Sequence, residues 1–161
     1  MIVVGRAELR QIVDAAEAAY PAECCGLLIG LQHKNGVLEV RRVAPSRNLG
    51  KARDRFEIDP QLWVDITRAH RAGPTRIVGL YHSHPDGPAQ PSAVDLEAAW
   101  GEELVWVIVS VAGDGKAGQA VHVTAHMLDY GGRQFRDIPL RTSDWHPNFT
   151  RALPEDTKEA S

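Results

Sequence analysis

Between Ala7 and Tyr20 the apolar residues Leu9, Ile12, Val13, Ala16, Ala19 and Tyr20 recur at intervals of three and four in an alanine-rich segment. That period predicts an amphipathic helix, closed by Pro21. The pattern then shortens. Cys25 to Leu31 is an apolar run bounded by Gly26 and Gly30, and Val37 to Val43 is a second run beyond the Lys34-Asn35-Gly36 turn, so the pair predicts a β-hairpin. From Pro45 to Arg55 there is no period, only proline, glycine, serine, asparagine and charges, which marks a loop.

Phe56 to Ile58 predicts a short strand, and Asp59-Pro60 supplies an N-cap and a first-turn proline for a helix running to about Ala72, where Gly73-Pro74 stops it. Ile77 to Tyr81 predicts a buried strand, Ser92 to Trp100 a helix, and Val105 to Val111 a strand buried on both faces. Ala120 to Leu128 follows as a further strand after the Gly113-Asp114-Gly115 turn. Beyond Arg141 the chain is polar except for Trp145 and Phe149, so we divide it into one mixed α/β domain over 1–140, α+β in its connections, and a loosely ordered tail over 141–161.

Composition narrows the function classes. A chain of 161 residues is the size of one domain with a self-sufficient core. Eighteen Lys and Arg against 21 Asp and Glu leave a formal charge of -3, so no global positive field exists to hold a nucleic-acid backbone. Apolar stretches reach only six or seven residues, and the amino end lacks the features of a signal peptide. The expectation is a cytoplasmic protein without nucleic-acid or membrane partners. Cys24 and Cys25 are adjacent, a poor geometry for a disulfide, and read as small buried apolar residues.

Candidate chemistry gathers at Tyr81-His82-Ser83-His84-Pro85 and Ser92-Ala93-Val94-Asp95. Histidines at i and i+2 near a strand end point to one face, so two imidazoles can converge on one ion, and Asp95 in the first turn of the next helix can add an oxygen. Two imidazoles and a carboxylate leave a tetrahedral zinc with an open position for water. Each piece also has a plainer explanation. A His-x-His pair can be a hydrogen-bonded surface pair, Ser92-x-x-Asp95 fits a helix capping box, and Glu23 alone fits an exposed boundary residue.

The joint pattern is more specific. Glu23 within Pro21-Ala22-Glu23-Cys24-Cys25-Gly26, followed by His82-Ser83-His84-Pro85, six residues, then Ser92 and Asp95, resembles the JAMM (Mov34/PAD-1, JAB or MPN) metalloprotease motif. Arg55-Phe56-Glu57-Ile58-Asp59-Pro60 and Val107-Ile108-Val109-Ser110 resemble segments that short bacterial members carry around it. The resemblance implies a mixed, curved β-sheet flanked by helices, similar to cytidine deaminases. It also implies zinc bound by His82, His84 and Asp95, with Glu23 as general base and Ser92 donating to the oxyanion. Ser83 then faces away from the metal in a structural role.

The implied substrate is the amide bond after the Gly-Gly end of a ubiquitin-like or sulfur-carrier protein, received as an extended tail beside an exposed strand. A non-catalytic scaffold of the same fold, and an enzyme for a small amide, are the other readings. The deaminase His-x-Glu, the zincin H-E-x-x-H and a complete metallo-β-lactamase H-x-H-x-D-H are absent. His122 and His126 lie four apart in a strand and are expected on one side, near a surface. From Arg41 to Arg55, six basic residues (Arg41, Arg42, Arg47, Lys51, Arg53, Arg55) face one acid, Asp54, a local charge of +5. This segment either steers an acidic carrier or is a solvated loop.

Overall fold

The computed structural model describes residues 1–129 and 131–143. In chain order the elements are β1 (Ile2–Gly5), α1 (Arg6–Ala19), β2 (Cys25–Gln32), β3 (Leu38–Ser46), α2 (Pro60–Ala69) and β4 (Arg76–Pro85). They are followed by α3 (Ala93–Ala98), β5 (Val105–Gly113), β6 (Gly118–Leu128), β7 (Phe135–Asp137) and β8 (Leu140–Ser143). The strands form one mixed sheet in the order β7-β6-β5-β4-β2-β3-β1-β8. The predicted β2–β3 hairpin pairs antiparallel, β2 also pairs antiparallel with β4, and β4 runs parallel to β5. That parallel step is the crossover which carries α3 between two central strands.

Helices cover both faces. The apolar stripe of α1 buries Ile12 and Ala16 against β-strand side chains that include Val4, Leu28, Val40, Val107 and Val109. On the opposite face, Ile66 of α2 packs with Leu27, Ile29, Leu80 and Trp106, joined by Phe56 and Trp63. With layers on both sides, β5 is apolar at every position from Val105 to Val111 except Ser110, and all seven of these residues are buried.

Several expectations are revised. Phe56 to Ile58 forms no strand, only an isolated bridge between Ile58 and Asn48. Arg41 and Arg42 lie in β3, within the predicted Val37 to Val43 run, β3 extends into the expected loop as far as Ser46, and two of the six cations are paired: Arg41 with Glu39 at 2.7 Å and Arg47 with Asp59 at 2.9 Å. The segment therefore presents less than its formal charge. The sheet continues past Leu140 to Ser143, because β8 gains a parallel partner in β1, while Trp145 and Phe149 lie outside the described residues. His126 is buried and His122 exposed although both lie on one face of β6, because His126 sits beside Asp137 of β7 while His122 lies beyond the residues that β7 pairs. No helix among the described residues is long and apolar enough to cross a membrane.

The close approach of β4 to β5 requires a residue without a side chain at Gly79, where a Cβ would lie 2.3 Å from the Val105 carbonyl oxygen. Gly79→Ala is expected to lower stability by about 1–3 kcal/mol, the usual cost of overpacking. An unchanged midpoint in chemical denaturation would show that the two strands can separate freely there.

Candidate functional site

The site forms where β4 leaves the sheet interior and α3 begins. His82 and His84, two apart on β4, project to the same side, and Asp95 reaches them from the first turn of α3. His82 Nε2 lies 3.0 Å from His84 Nε2 and 3.2 Å from Asp95 Oδ1, while His84 Nε2 lies 3.1 Å from Asp95 Oδ2. All three residues are buried, and their ligand atoms fall within 4.8 Å of one another.

The donor set fits a metal ion. His84 Nδ1 faces the Pro88 carbonyl at 2.8 Å; a carbonyl only accepts, so Nδ1 carries the proton and Nε2 turns a lone pair toward His82 and Asp95. Lone pairs of two imidazoles and a carboxylate then converge in a buried space, an arrangement that is repulsive unless a positive charge sits among them. Burial is the largest single influence on His84 and opposes its charge, but hydrogen bonding to Asp95 and the Pro88 carbonyl, together with the charges of Asp95 and Glu23, raises its pKa on balance. Full burial pushes His82 down, toward the neutral form a ligand needs. Burial also acts to raise Asp95, yet the two imidazoles hold it well below the usual carboxylate range. The His82 Nδ1 atom has no hydrogen-bond partner among the described residues, and its ring is held instead by stacking on Phe56, with centroids 4.3 Å apart.

The plainer explanation of Ser92-x-x-Asp95 is also realised. Ser92 Oγ accepts from the Asp95 amide at 3.0 Å, and the Ser92 amide donates to Asp95 Oδ2 at 2.7 Å, so the capping box and the cluster share one carboxylate. Ser92 Oγ donates to no other described residue, which leaves its proton available to a substrate. Ser83 points the other way, as expected, accepting from the Cys24 amide at 2.8 Å. That bond splices the start of β2 to β4 and brings Glu23 to the cluster.

Glu23 is 7% exposed, and its Oε2 has no hydrogen-bond partner among the described residues. Burial raises its pKa to about 7, with the Asp95 charge adding to the rise and His84 opposing it. The cysteines beside it are not activated: burial raises Cys24 and pushes Cys25 up to about 12.

Two cavities flank the cluster. The larger, about 440 Å³, is apolar and runs between α2 and α3, with Phe56, Trp63, Trp100 and Trp106 in its walls. Trp100 is 57% exposed, and its ring centroid stands 4.7 Å from that of Trp63. The smaller, about 280 Å³, is of mixed character and lies beside Ser92, with Gln90, Leu96, His126, Phe135 and Asp137 in its walls. His126, expected near a surface from its spacing to His122, is buried and lines this cavity. β4 is paired with β5 through Pro85 but with β2 only as far as His82, so the histidine strand is covered on both sides up to the start of the cluster.

Comparison with known proteins agrees with this geometry. Residues 6–124 match the family described as prokaryotic homologs of the JAB domain. A protein named desampylase from Haloferax volcanii is 34% identical over 127 residues, covering 79% of this chain and 83% of that protein. One of the same name from Pyrococcus furiosus is 31% identical over 116 residues, covering 72% and 79%. A solution structure of a Desulfitobacterium hafniense protein superposes with a TM-score of 0.69 at 27% identity, covering 89% of this chain and 94% of that one. The chain belongs to the prokaryotic JAB (JAB/MPN) family, and it is a hydrolase of the JAMM type.

Glu23 supplies a direct test of the site's electrostatics. Its pKa is raised from an ordinary 4.5 to about 7 on folding, so the native state holds a proton the unfolded chain has lost, and its contribution to stability falls as pH rises through that interval. Glu23→Gln removes the penalty. Urea denaturation of metal-free protein is expected to show the variant more stable than wild type by about 1–3 kcal/mol at pH 8, with the gain gone at pH 4. A difference that does not vary with pH would mean that Glu23 is not buried as described.

Proposed function

We propose that the protein is a zinc-dependent isopeptidase or peptidase that hydrolyses the amide bond after the C-terminal Gly-Gly of a ubiquitin-like or sulfur-carrier protein. The observation that carries the reading is the convergence of His82, His84 and Asp95 beside a buried carboxylate, Glu23 Oε2, that no protein group occupies. Support for the substrate class comes from the relatives named desampylase, which match most of the chain.

His82 Nε2, His84 Nε2 and a carboxylate oxygen of Asp95 would hold the ion, an imidazole-rich set suited to zinc with room for an exchangeable position. Zinc so held supplies concentrated positive charge that polarises an amide carbonyl and makes water acidic enough to react near neutral pH. The protein's own groups do the rest. Glu23 Oε2 accepts the proton of the attacking water and delivers it to the departing amine nitrogen, a task suited to a carboxylate whose pKa lies near 7. The Ser92 hydroxyl, positioned by its acceptor bond from the Asp95 amide, donates to the carbonyl oxygen as negative charge develops there. Phe56 and Trp106, packed edge and face around His82, exclude bulk water from that side and strengthen each of these interactions.

Incubation of the zinc-loaded protein with a ubiquitin-like protein extended beyond Gly-Gly, or joined through it to a lysine, is expected to release the Gly-Gly-ended form, as read by intact mass. Glu23→Gln should retain one zinc per chain and lose about 10²–10⁴ in rate. Ser92→Ala should lose about 10² in kcat and, through the missing cap, about 1 kcal/mol of stability. Retention of full cleavage by Glu23→Gln, or undiminished cleavage after chelation, would end the proposal. No cleavage with zinc bound would leave the scaffold reading.

A further inference from the structure

The segment that joins the histidine strand to α3 is held at nearly every residue. The Asp86 amide donates to the Val111 carbonyl at 2.7 Å, and the Asp86 carboxylate receives the Tyr20 hydroxyl at 2.7 Å and the Gly113 amide at 3.1 Å. These bonds fix a residue with φ of +55°, the left-handed region that aspartate tolerates better than most. Three successive carbonyls then each receive a side-chain donor from a different strand. Ser110 Oγ of β5 reaches Gly87 O at 2.6 Å, His84 Nδ1 of β4 reaches Pro88 O at 2.8 Å, and Thr124 Oγ1 of β6 reaches Ala89 O at 2.6 Å.

The third donor is itself oriented. With its proton committed to Ala89, Thr124 Oγ1 can only accept from His126 Nε2, 2.8 Å away, and the far side of that buried imidazole, Nδ1, lies 2.8 Å from Asp137 Oδ1. A surface loop ordinarily leaves its carbonyls to water. Here they are tied to the sheet, so the path of residues 86–91 is set by the sheet rather than by the loop. That matters because α3 has six residues, too few to be stable alone, and Asp95 is its one fully buried side chain.

We infer that Ser110 and Thr124 are positioning residues whose hydroxyls, acting through the Gly87 and Ala89 carbonyls, set α3 against β4 and thereby place Asp95 and Ser92 relative to His82 and His84. The inference rests on the reading of His82, His84 and Asp95 as one cation site. Neither hydroxyl touches the cluster, and their effect reaches it only through the backbone they hold.

Ser110→Ala, Thr124→Val and the double variant test this, with Thr124→Ser as the conservative replacement and Thr67→Val on exposed α2 as the control. Titration of the metal-free proteins with Zn²⁺ against a competing chelator is expected to show about 10-fold weaker binding for each single variant and up to about 100-fold for the pair, the scale seen when outer-shell partners of metal ligands are removed. Loading with Co²⁺ should give visible absorption bands that change in intensity in Thr124→Val and return in Thr124→Ser. Thermal melts identify any variant that fails to fold, in which case the remaining single variant and Thr124→Ser carry the test. Wild-type affinity and an unaltered Co²⁺ spectrum in folded variants would overturn the positioning role while leaving the cation site standing. Failure of the wild-type protein itself to bind either ion would overturn the site and this inference together.

Discussion

The carboxylate of Asp95 carries more of this structure than any other group. Its Oδ2 takes the Ser92 amide and faces His84, its Oδ1 faces His82, and its own amide closes the capping box onto Ser92 Oγ. A six-residue helix gains little from its own hydrogen bonds, so the cap and the imidazole contacts are what fix it. The helix start and the cluster are therefore one construction. A charge in this position is tolerated because the Ser92 amide donates to it and because a positive charge, proton or cation, can be shared with the two imidazoles that face it.

Burial has opposite consequences on the two sides of the cluster. His82, wholly enclosed under Phe56 and beside Trp106, is driven toward neutrality, and Glu23, enclosed without a donor, is driven toward holding its proton. A carboxylate made basic and an imidazole made available as a lone-pair donor follow from one cause, the removal of water. The thiols of Cys24 and Cys25 share that environment, and for them the same removal works against reactivity, since a thiolate needs stabilising charge that the carboxylate of Glu23 does not provide.

Which parts of this were legible in the sequence follows from how local each cause is. The α1 stripe, the β2–β3 hairpin and the mostly apolar β5 are set by side chains within a few positions of one another, and all three appear where the period places them. The histidine pair and the Ser92-x-x-Asp95 spacing are local in the same sense. Short β1, β7 and β8 were invisible because four, three and four residues carry no period, and β1 and β8 exist only through partners distant in the chain. Burial of His126 was likewise hidden, since it depends on Asp137 from β7. Phe56 was read as strand, whereas its ring is committed to covering His82, and the backbone follows the ring.

The double pairing of β4 constrains how any chain can approach. Strand addition needs free amides and carbonyls at an edge, and those of β4 up to His82 are spent on β2 and β5, beyond which only the β5 side stays paired through Pro85. The cluster itself has two borders. One is the segment before α2, where Phe56 opens into the apolar cavity shared with Trp63 and Trp100; the other is the segment before α3, where Gln90 and Ser92 open into the mixed cavity shared with His126, Phe135 and Asp137. The Phe56 border is fixed by packing and the Ala89 border by hydrogen bonds to the sheet, so aromatic rings line the first while hydrogen-bonding groups stand beside Leu96 and Phe135 in the second.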